Sequence, residues 1–319
     1  MGTIEAIFLA KGPARGTLGH GSGLFPGQGS SPKHPWARFP PFPWPRVQSE
    51  APLGTVEGTV EGTLGDGREA GISGNNERAE DQVQAIIAIF VLMYTDLLKY
   101  SLGEGVEAFS TRRDCTLPYP VIQGHQVHNA KVAVIDRPDY TREELEGFDA
   151  FVTDLPGVAI GVRTADCVPV LLYDPVRRVV AAVHSGWKGT ALHIARKAIN
   201  VMAQQYRCKA EDLLAAIGPS IGPDSFQVGE EVAEHFKKAG FPMDMIWSFR
   251  GPGDGTPMSG GHHIDLWQAN RWLLEQAGVK KEHIRIAGID SFTAPDFFSA
   301  RREGTECGRT INAIKLIKF

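Results

Sequence analysis

The sequence predicts a mixed α/β fold from about residue 94 to the C-terminus, preceded by a long segment with no fold of its own. Three observations carry this reading. Short apolar and β-branched runs recur through the second part of the chain, amphipathic helical stretches fall between some of them but not all, and the first part is rich in Gly and Pro without sustained periodicity.

Strands are expected at Val106–Thr111, Lys131–Ile135, Ala150–Thr153, Val158–Arg163, Val168–Tyr173, Val179–His184, Leu214–Ile217, Ile284–Ile289, Phe297–Arg301 and Ile311–Leu316. A helix is expected between Lys188 and Tyr206, where Leu192, Ala195, Ile199 and Met202 recur at spacings of three and four and form one apolar stripe. A second runs from Asp265, a helix-capping residue, through Leu266, Ala269, Leu273 and Ala277 to a stop at Gly278. A third covers about Glu230 to Ala239 and also ends at a glycine. Helices that intervene only intermittently between strands predict mixed sheets, not a doubly wound parallel one.

Residues 11 to about 80 contain Phe39-Pro-Pro-Phe-Pro-Trp-Pro45 and the short repeat Gly54-Thr-Val-Glu-Gly-Thr-Val-Glu-Gly-Thr63. Such a stretch buries too little apolar area to offset its ordering entropy, so it is expected to be a disordered extension. A proline-rich docking segment for an SH3 or WW partner is the alternative. The run Ala85-Ile-Ile-Ala-Ile-Phe-Val-Leu-Met93 is about half of the roughly 20 residues that a helix needs to cross a bilayer, and no secretory signal is evident. A net charge of −4 gives no electrostatic reason to expect a nucleic-acid or membrane partner. Cys115, Cys167, Cys208 and Cys307 are irregularly spaced without a CxxC pair, as expected for reduced thiols in the cytoplasm.

Chemistry concentrates in three segments: Gly124-His-Gln-Val-His-Asn129, Arg163-Thr-Ala-Asp-Cys-Val-Pro169 and Ala182-Val-His-Ser-Gly-Trp-Lys-Gly189. Each sets a reactive residue at the end of an apolar strand, where a side chain reaches a cleft while the sheet fixes its backbone. His128, Cys167 and His184 are one imidazole, one thiolate and a second imidazole. That set suits zinc, and three protein ligands leave a fourth position open to a water of lowered pKa. Copper also accepts mixed nitrogen and sulfur donors. Spacings of 39 and 17 residues fix no short metal motif, so buried structural residues are the competing reading. His125 is an alternative ligand to His128, since on a strand the two would face opposite sides.

The block Thr164-Ala-Asp-Cys-Val-Pro-Val-Leu-Leu-Tyr-Asp174, followed by His184-Ser-Gly-Trp-Lys-Gly189, resembles the YfiH-like family. Its members are also called multicopper polyphenol oxidoreductase or laccase-domain proteins and are regarded as purine nucleoside phosphorylases. Further matches are Phe109-Ser-Thr-Arg112, Gln126-Val-His128, Ile217-Gly-Pro-Ser-Ile-Gly-Pro223 with Val228-Gly229, Asp265-Leu266 with Asn270, and Phe297-Phe-Ser-Ala-Arg301 with Gly308-Arg309. The resemblance starts near Met93-Tyr-Thr-Asp-Leu-Leu98, which marks residues 1–92 as an upstream extension, of the kind an over-called start codon produces, and 93–319 as the catalytic domain.

The resemblance implies a layered α/β/β/α sandwich and a metal site of His128, Cys167 and His184, with Zn2+ or Cu2+ as the ion. It also implies phosphorolysis of adenosine, inosine and methylthioadenosine, and hydrolytic deamination of adenosine, so that purine nucleosides and phosphate are the expected partners. Arg112 then becomes a candidate phosphate or carboxylate ligand, with a surface ion pair as its rival role. Asp166 becomes a candidate proton acceptor or partner of Cys167, although beside a strand residue it would point the other way. Asn129, Lys188 and Asp224-Ser225 depart from the family pattern without removing a ligand, and bear on substrate preference.

Three other chemistries compete. Cys167 as nucleophile with His184 as base describes a metal-free cysteine hydrolase. A copper-dependent phenol oxidase requires several His-x-His pairs that the chain lacks. Gly218-Pro-Ser-Ile-Gly222 fits a serine-hydrolase elbow, yet no helix follows Ser220, which reads instead as a turn residue. A binding module without catalysis is the remaining possibility. Cys115, Cys208, Cys307, His193, His262 and His263 receive structural readings.

Overall fold

The computed structural model describes residues 97–253, 255 and 257–318. The extension expected over residues 1–92 lies outside them. In chain order the strands are β1 (Leu97–Lys99), β2 (Val106–Thr111), β3 (Val132–Val134), β4 (Ala150–Thr153), β5 (Ala159–Thr164), β6 (Val168–Asp174) and β7 (Val179–Ser185). They continue as β8 (Leu214–Ile217), β9 (Gln227–Val228), β10 (Trp247–Arg250), β11 (Gly261–Ile264), β12 (Ile284–Ile286) and β13 (Thr310–Leu316). The helices are α1 (Trp187–Ala191), α2 (Ile194–Tyr206), α3 (Glu230–Lys238), α4 (Met243–Ile246), α5 (Leu266–Gln276) and α6 (Ala300–Glu303).

The expected mixed α/β architecture is present. A six-stranded mixed sheet of order β12-β8-β6-β7-β4-β3 faces a four-stranded antiparallel sheet of order β1-β2-β13-β5. Every residue of β6 and β7 is buried, because both faces of the larger sheet are covered. Leu171, Tyr173, Val180 and Ala182 pack between the sheets against Ile160, Val162, Ile314 and Leu316. Val170, Leu172, Ala181 and Val183 face outward onto Ala195, Ala198 and Met202 of α2, with Ala269 and Leu273 of α5 joining the same cluster. This explains why β6 and β7 read as unbroken apolar runs.

One polar chain crosses the smaller sheet. Tyr100 Oη lies 2.7 Å from Ser110 Oγ, which donates to Asn312 Oδ1 at 2.5 Å, and Asn312 Nδ2 donates to Thr164 Oγ1 at 2.9 Å. Burial drives the Tyr100 phenol well above its usual pKa, so it stays neutral and available to this network.

Several expectations are corrected. The helix expected from Lys188 to Tyr206 is two helices, parted at His193, whose φ of 59° is left-handed. His193 holds that turn by donating from Nε2 to the Ala239 carbonyl at 3.1 Å and stacking edge-on against Phe241. Phe297–Arg301 is not a strand, because Ser299 accepts the Arg302 amide and caps α6. The strand expected to reach Ile289 stops at Ile286, before Gly288 with φ 64°. Strands β9, β10 and β11 form a third, antiparallel sheet that the sequence pattern did not suggest. No helix among the described residues is long and apolar enough to cross a membrane.

Candidate active site and metal centre

The antiparallel register of β6 and β7 pairs Val168 with Ser185 and Pro169 with His184, so Cys167, in the bend just before β6, sits opposite Gly186. His184 shares the inter-sheet face with Ala182 by the two-residue period of a strand and is 2% exposed. His128 arrives from outside any strand, on a bend where its own φ is 62°. One donor atom from each of His128, Cys167 and His184 lies within 4.8 Å of the others. Donors around a tetrahedral zinc stand roughly 3.5 Å apart, so a spread of this size is compatible with one shared ion. The imidazole rings of His128 and His184 meet edge to face, 4.8 Å between centroids. His125 lines the same cavity without joining this group of donor atoms.

A residue that sequence reasoning missed stands behind these three. Asp149, fully buried just before β4, accepts from His184 Nδ1 (2.7 Å) and the His128 amide (2.9 Å) on Oδ1, and from the amides of Asn129 (3.0 Å) and Val127 (3.3 Å) on Oδ2. Nδ1 of His184 is therefore committed, and Nε2 is the atom free to face Cys167. Burial alone would raise the Cys167 pKa, yet His184 and His128 bring the thiol below its usual range. Burial would likewise lower the His184 pKa, and the Cys167 thiolate and Asp149 hold it above the usual range instead. The only signal of Asp149 in the sequence is an acid directly before an apolar strand, a pattern shared with ordinary turn residues.

The centre opens into a cavity of about 740 Å³. Arg142, Arg163, Arg301 and Arg309 line it, with the apolar surfaces of Ile221 and Phe226. Arg309 donates to the Thr305 (2.7 Å) and Gly308 (2.9 Å) carbonyls, and Arg301 donates twice to the Gln227 carbonyl at 3.1 Å. Arg163 differs. Among the described residues its guanidinium makes no hydrogen bond or ion pair, and burial together with the charges of Arg142 and Arg309 lowers its pKa. An incompletely solvated guanidinium beside two like charges is a site for an anion.

Two other expected site residues have these surroundings. Arg112 does not line the cavity; its Nη1 pairs with Asp296 at 2.5 Å and its guanidinium lies over Phe297, which is the surface ion-pair role. Asp166 lines the cavity, but its Oδ1 accepts from Ser291 Oγ and its Oδ2 from the Arg301 amide, both at 2.7 Å. Its carboxylate thereby ties the start of α6 to the bend before β6. Ser220 is buried and accepts from Trp267 Nε1 at 2.7 Å, as suits a turn residue. Cys307, read from the sequence as structural, lines the cavity beside Arg309.

The space around Cys167 gives a direct test. A Cβ at Gly186 would lie 2.9 Å from Cys167 Sγ and 3.3 Å from His128 Cδ2. Gly186→Ala is therefore expected to push His128 and Cys167 apart and cost about 1–3 kcal/mol as an overpacking change. A lower melting temperature checks this, and a wild-type value would contradict it.

Comparison with known proteins places the chain in a family. A purine nucleoside phosphorylase of Bacteroides thetaiotaomicron is 39% identical over 229 residues, which cover 67% of this chain and 83% of that protein. An adenosine deaminase from an unknown prokaryotic organism is 41% identical over 201 residues, covering 61% and 74%. The crystal structure of the Bacillus licheniformis hypothetical protein YfiH shares the fold, with a TM-score of 0.61 at 24% identity over 69% of this chain and 96% of that one. Residues 108–317 match the family described as multi-copper polyphenol oxidoreductase laccase. The chain is an enzyme and belongs to that family, the YfiH-like proteins that the motifs around Cys167 and His184 resemble.

Proposed function

We propose that this chain is a zinc-dependent purine nucleoside enzyme that phosphorolyses adenosine, inosine and methylthioadenosine and deaminates adenosine. The observation that carries the reading is the presence, in one cavity, of a three-donor cluster and of Arg163, a half-buried arginine whose guanidinium has no partner among the described residues. The relatives' names, phosphorylase and deaminase, correspond to these two features. His128, Cys167 and His184 would hold the ion, since their atoms stand close enough to share one and two donor types match zinc. When bound, zinc acts as a Lewis acid and lowers the pKa of a water toward neutrality.

The protein's own groups do the rest. Arg163 binds the phosphate, with the fields of Arg142 and Arg309 adding to the attraction. Ile221 and Phe226 offer the purine an apolar surface while leaving the ribose toward the polar side of the cavity. In phosphorolysis a phosphate oxygen bonds to the ribose anomeric carbon as its bond to the base nitrogen breaks, giving free base and ribose 1-phosphate. In deamination water adds at the purine C6 and ammonia leaves, giving inosine from adenosine.

A metal-free cysteine hydrolase is the second reading, favoured by the lowered pKa of Cys167 beside His184. Copper-dependent phenol oxidation has less support, because one three-donor group is found among the described residues. The test is metal analysis of the protein as purified, followed by incubation with adenosine with and without phosphate. The expected result is about one zinc per chain, inosine formed without phosphate, adenine appearing only with it, and loss of both on chelation. A metal-free protein with full activity overturns the zinc reading, and failure to consume any purine nucleoside overturns the substrate class.

A further inference from the structure

We infer that Asp149 is the positioning residue that couples the two histidines of the centre, a role that rests on the metal reading above. The two ligands reach the site from unrelated parts of the chain. His184 lies at the end of a central strand, whereas His128 lies on a bend in a left-handed conformation that is unfavourable for a non-glycine residue. Something must hold that bend at the end of the strand. Asp149 does so with one carboxylate, whose Oδ1 is shared between the His184 ring (2.7 Å) and the His128 amide (2.9 Å).

Its Oδ2 takes the amides on either side, Asn129 at 3.0 Å and Val127 at 3.3 Å. Three successive N–H groups thus wrap one anion, and the fourth donor is the imidazole. Asp149 is itself locked, since its carbonyl accepts the His184 amide at 2.7 Å and its own amide donates to the Lys131 carbonyl at 3.1 Å. The consequence for the metal is twofold. Donation from Nδ1 fixes the tautomer and ring plane of His184 and leaves Nε2 as its ligand atom, while the amide contacts fix the distance from His184 to His128.

Four donors converging on two oxygens also make the carboxylate irreplaceable by its amide. Asparagine has nearly the same size but one accepting atom, so an NH2 group would meet N–H donors. Asp149→Asn and Asp149→Ala in the full chain, titrated with zinc against a chromophoric chelator, are expected to show affinity reduced about 10- to 100-fold. A purely structural role would lower the melting temperature of the metal-free protein without altering the bound metal. The charge-transfer and ligand-field bands of the Co2+ form therefore serve as the second readout, and they are expected to change in both variants. Wild-type zinc affinity with an unchanged cobalt spectrum overturns the inference.

A third measurement separates this idea from the metal reading itself. In the metal-free wild type, proton NMR is expected to show a slowly exchanging, downfield Nδ1–H signal of His184 that Asp149→Ala abolishes. Should the wild type bind no zinc, the proposed function fails while this signal still decides the role of Asp149; its persistence in Asp149→Ala overturns that role.

Discussion

Cys167→Ala is expected to reduce zinc content from about one to below a tenth per chain and to lower kcat/KM for adenosine by about a thousandfold or more. In the proposed centre the thiolate would supply the negative charge of the ligand set, the two imidazoles being neutral donors. Its removal leaves two ligands for an ion that needs at least three from the protein, and Lewis-acid stabilisation worth several kcal/mol disappears with the ion. The fold should survive, because Cys167 sits in a bend that is partly exposed and outside the packed runs of β6 and β7. A circular dichroism spectrum like that of the wild type is the control. If the variant loses activity but keeps its zinc, Cys167 acts as a nucleophile and not as a ligand.

Arg163→Ala is expected to raise the KM for phosphate about 10- to 100-fold and to lower phosphorolysis at least tenfold more than deamination. The estimate follows from one charge-assisted hydrogen bond, about 1.5–3 kcal/mol. Arg163 is singled out from the other arginines of the cavity because Arg301 and Arg309 already spend their donors on backbone carbonyls, and Arg142 is exposed whereas Arg163 is half-buried. Arg163→Lys should restore part of the loss by keeping the charge without the fork. Equal losses of phosphorolysis and deamination would show that Arg163 shapes the cavity in general and does not bind phosphate.

The sequence disclosed those parts of the site that lie on regular strands. Cys167 and His184 flank β6 and β7, whose fully buried runs Val168-Pro-Val-Leu-Leu-Tyr and Val179-Val-Ala-Ala-Val stand out from their surroundings. His128 was harder to choose over His125, since both belong to a loop and the strand rule for opposite faces does not apply where φ turns positive. Asp149 was illegible for a different reason. Its partners are backbone amides and a ring 35 residues away, and backbone donors carry no sequence identity. The two roles weighed for Arg112 look alike in sequence, because an arginine ending a strand has the same appearance whether it faces an anion or, as here, Asp296. At the level of fold, the short strands β9 to β11 escaped because two to four residues are too few to display a period.

The β6–β7 pairing has a consequence for how the centre is assembled in time. The two strands are joined by only four residues, Pro175 to Arg178, and the turn is fastened by Asp174 Oδ1, which accepts the amides of Val176 and Arg177 at 2.9 Å. Contacts this local close in about 1–10 μs once the segment exists, whereas pairing of β2 with β13 must wait for a loop of nearly the whole domain to close. Cys167 and His184 lie at the open end of that hairpin, so thiol and imidazole meet early, on a nascent chain whose last strand has not yet emerged from synthesis. His128, which leaves synthesis before either of them, is then already available to join the pair as the sheets close.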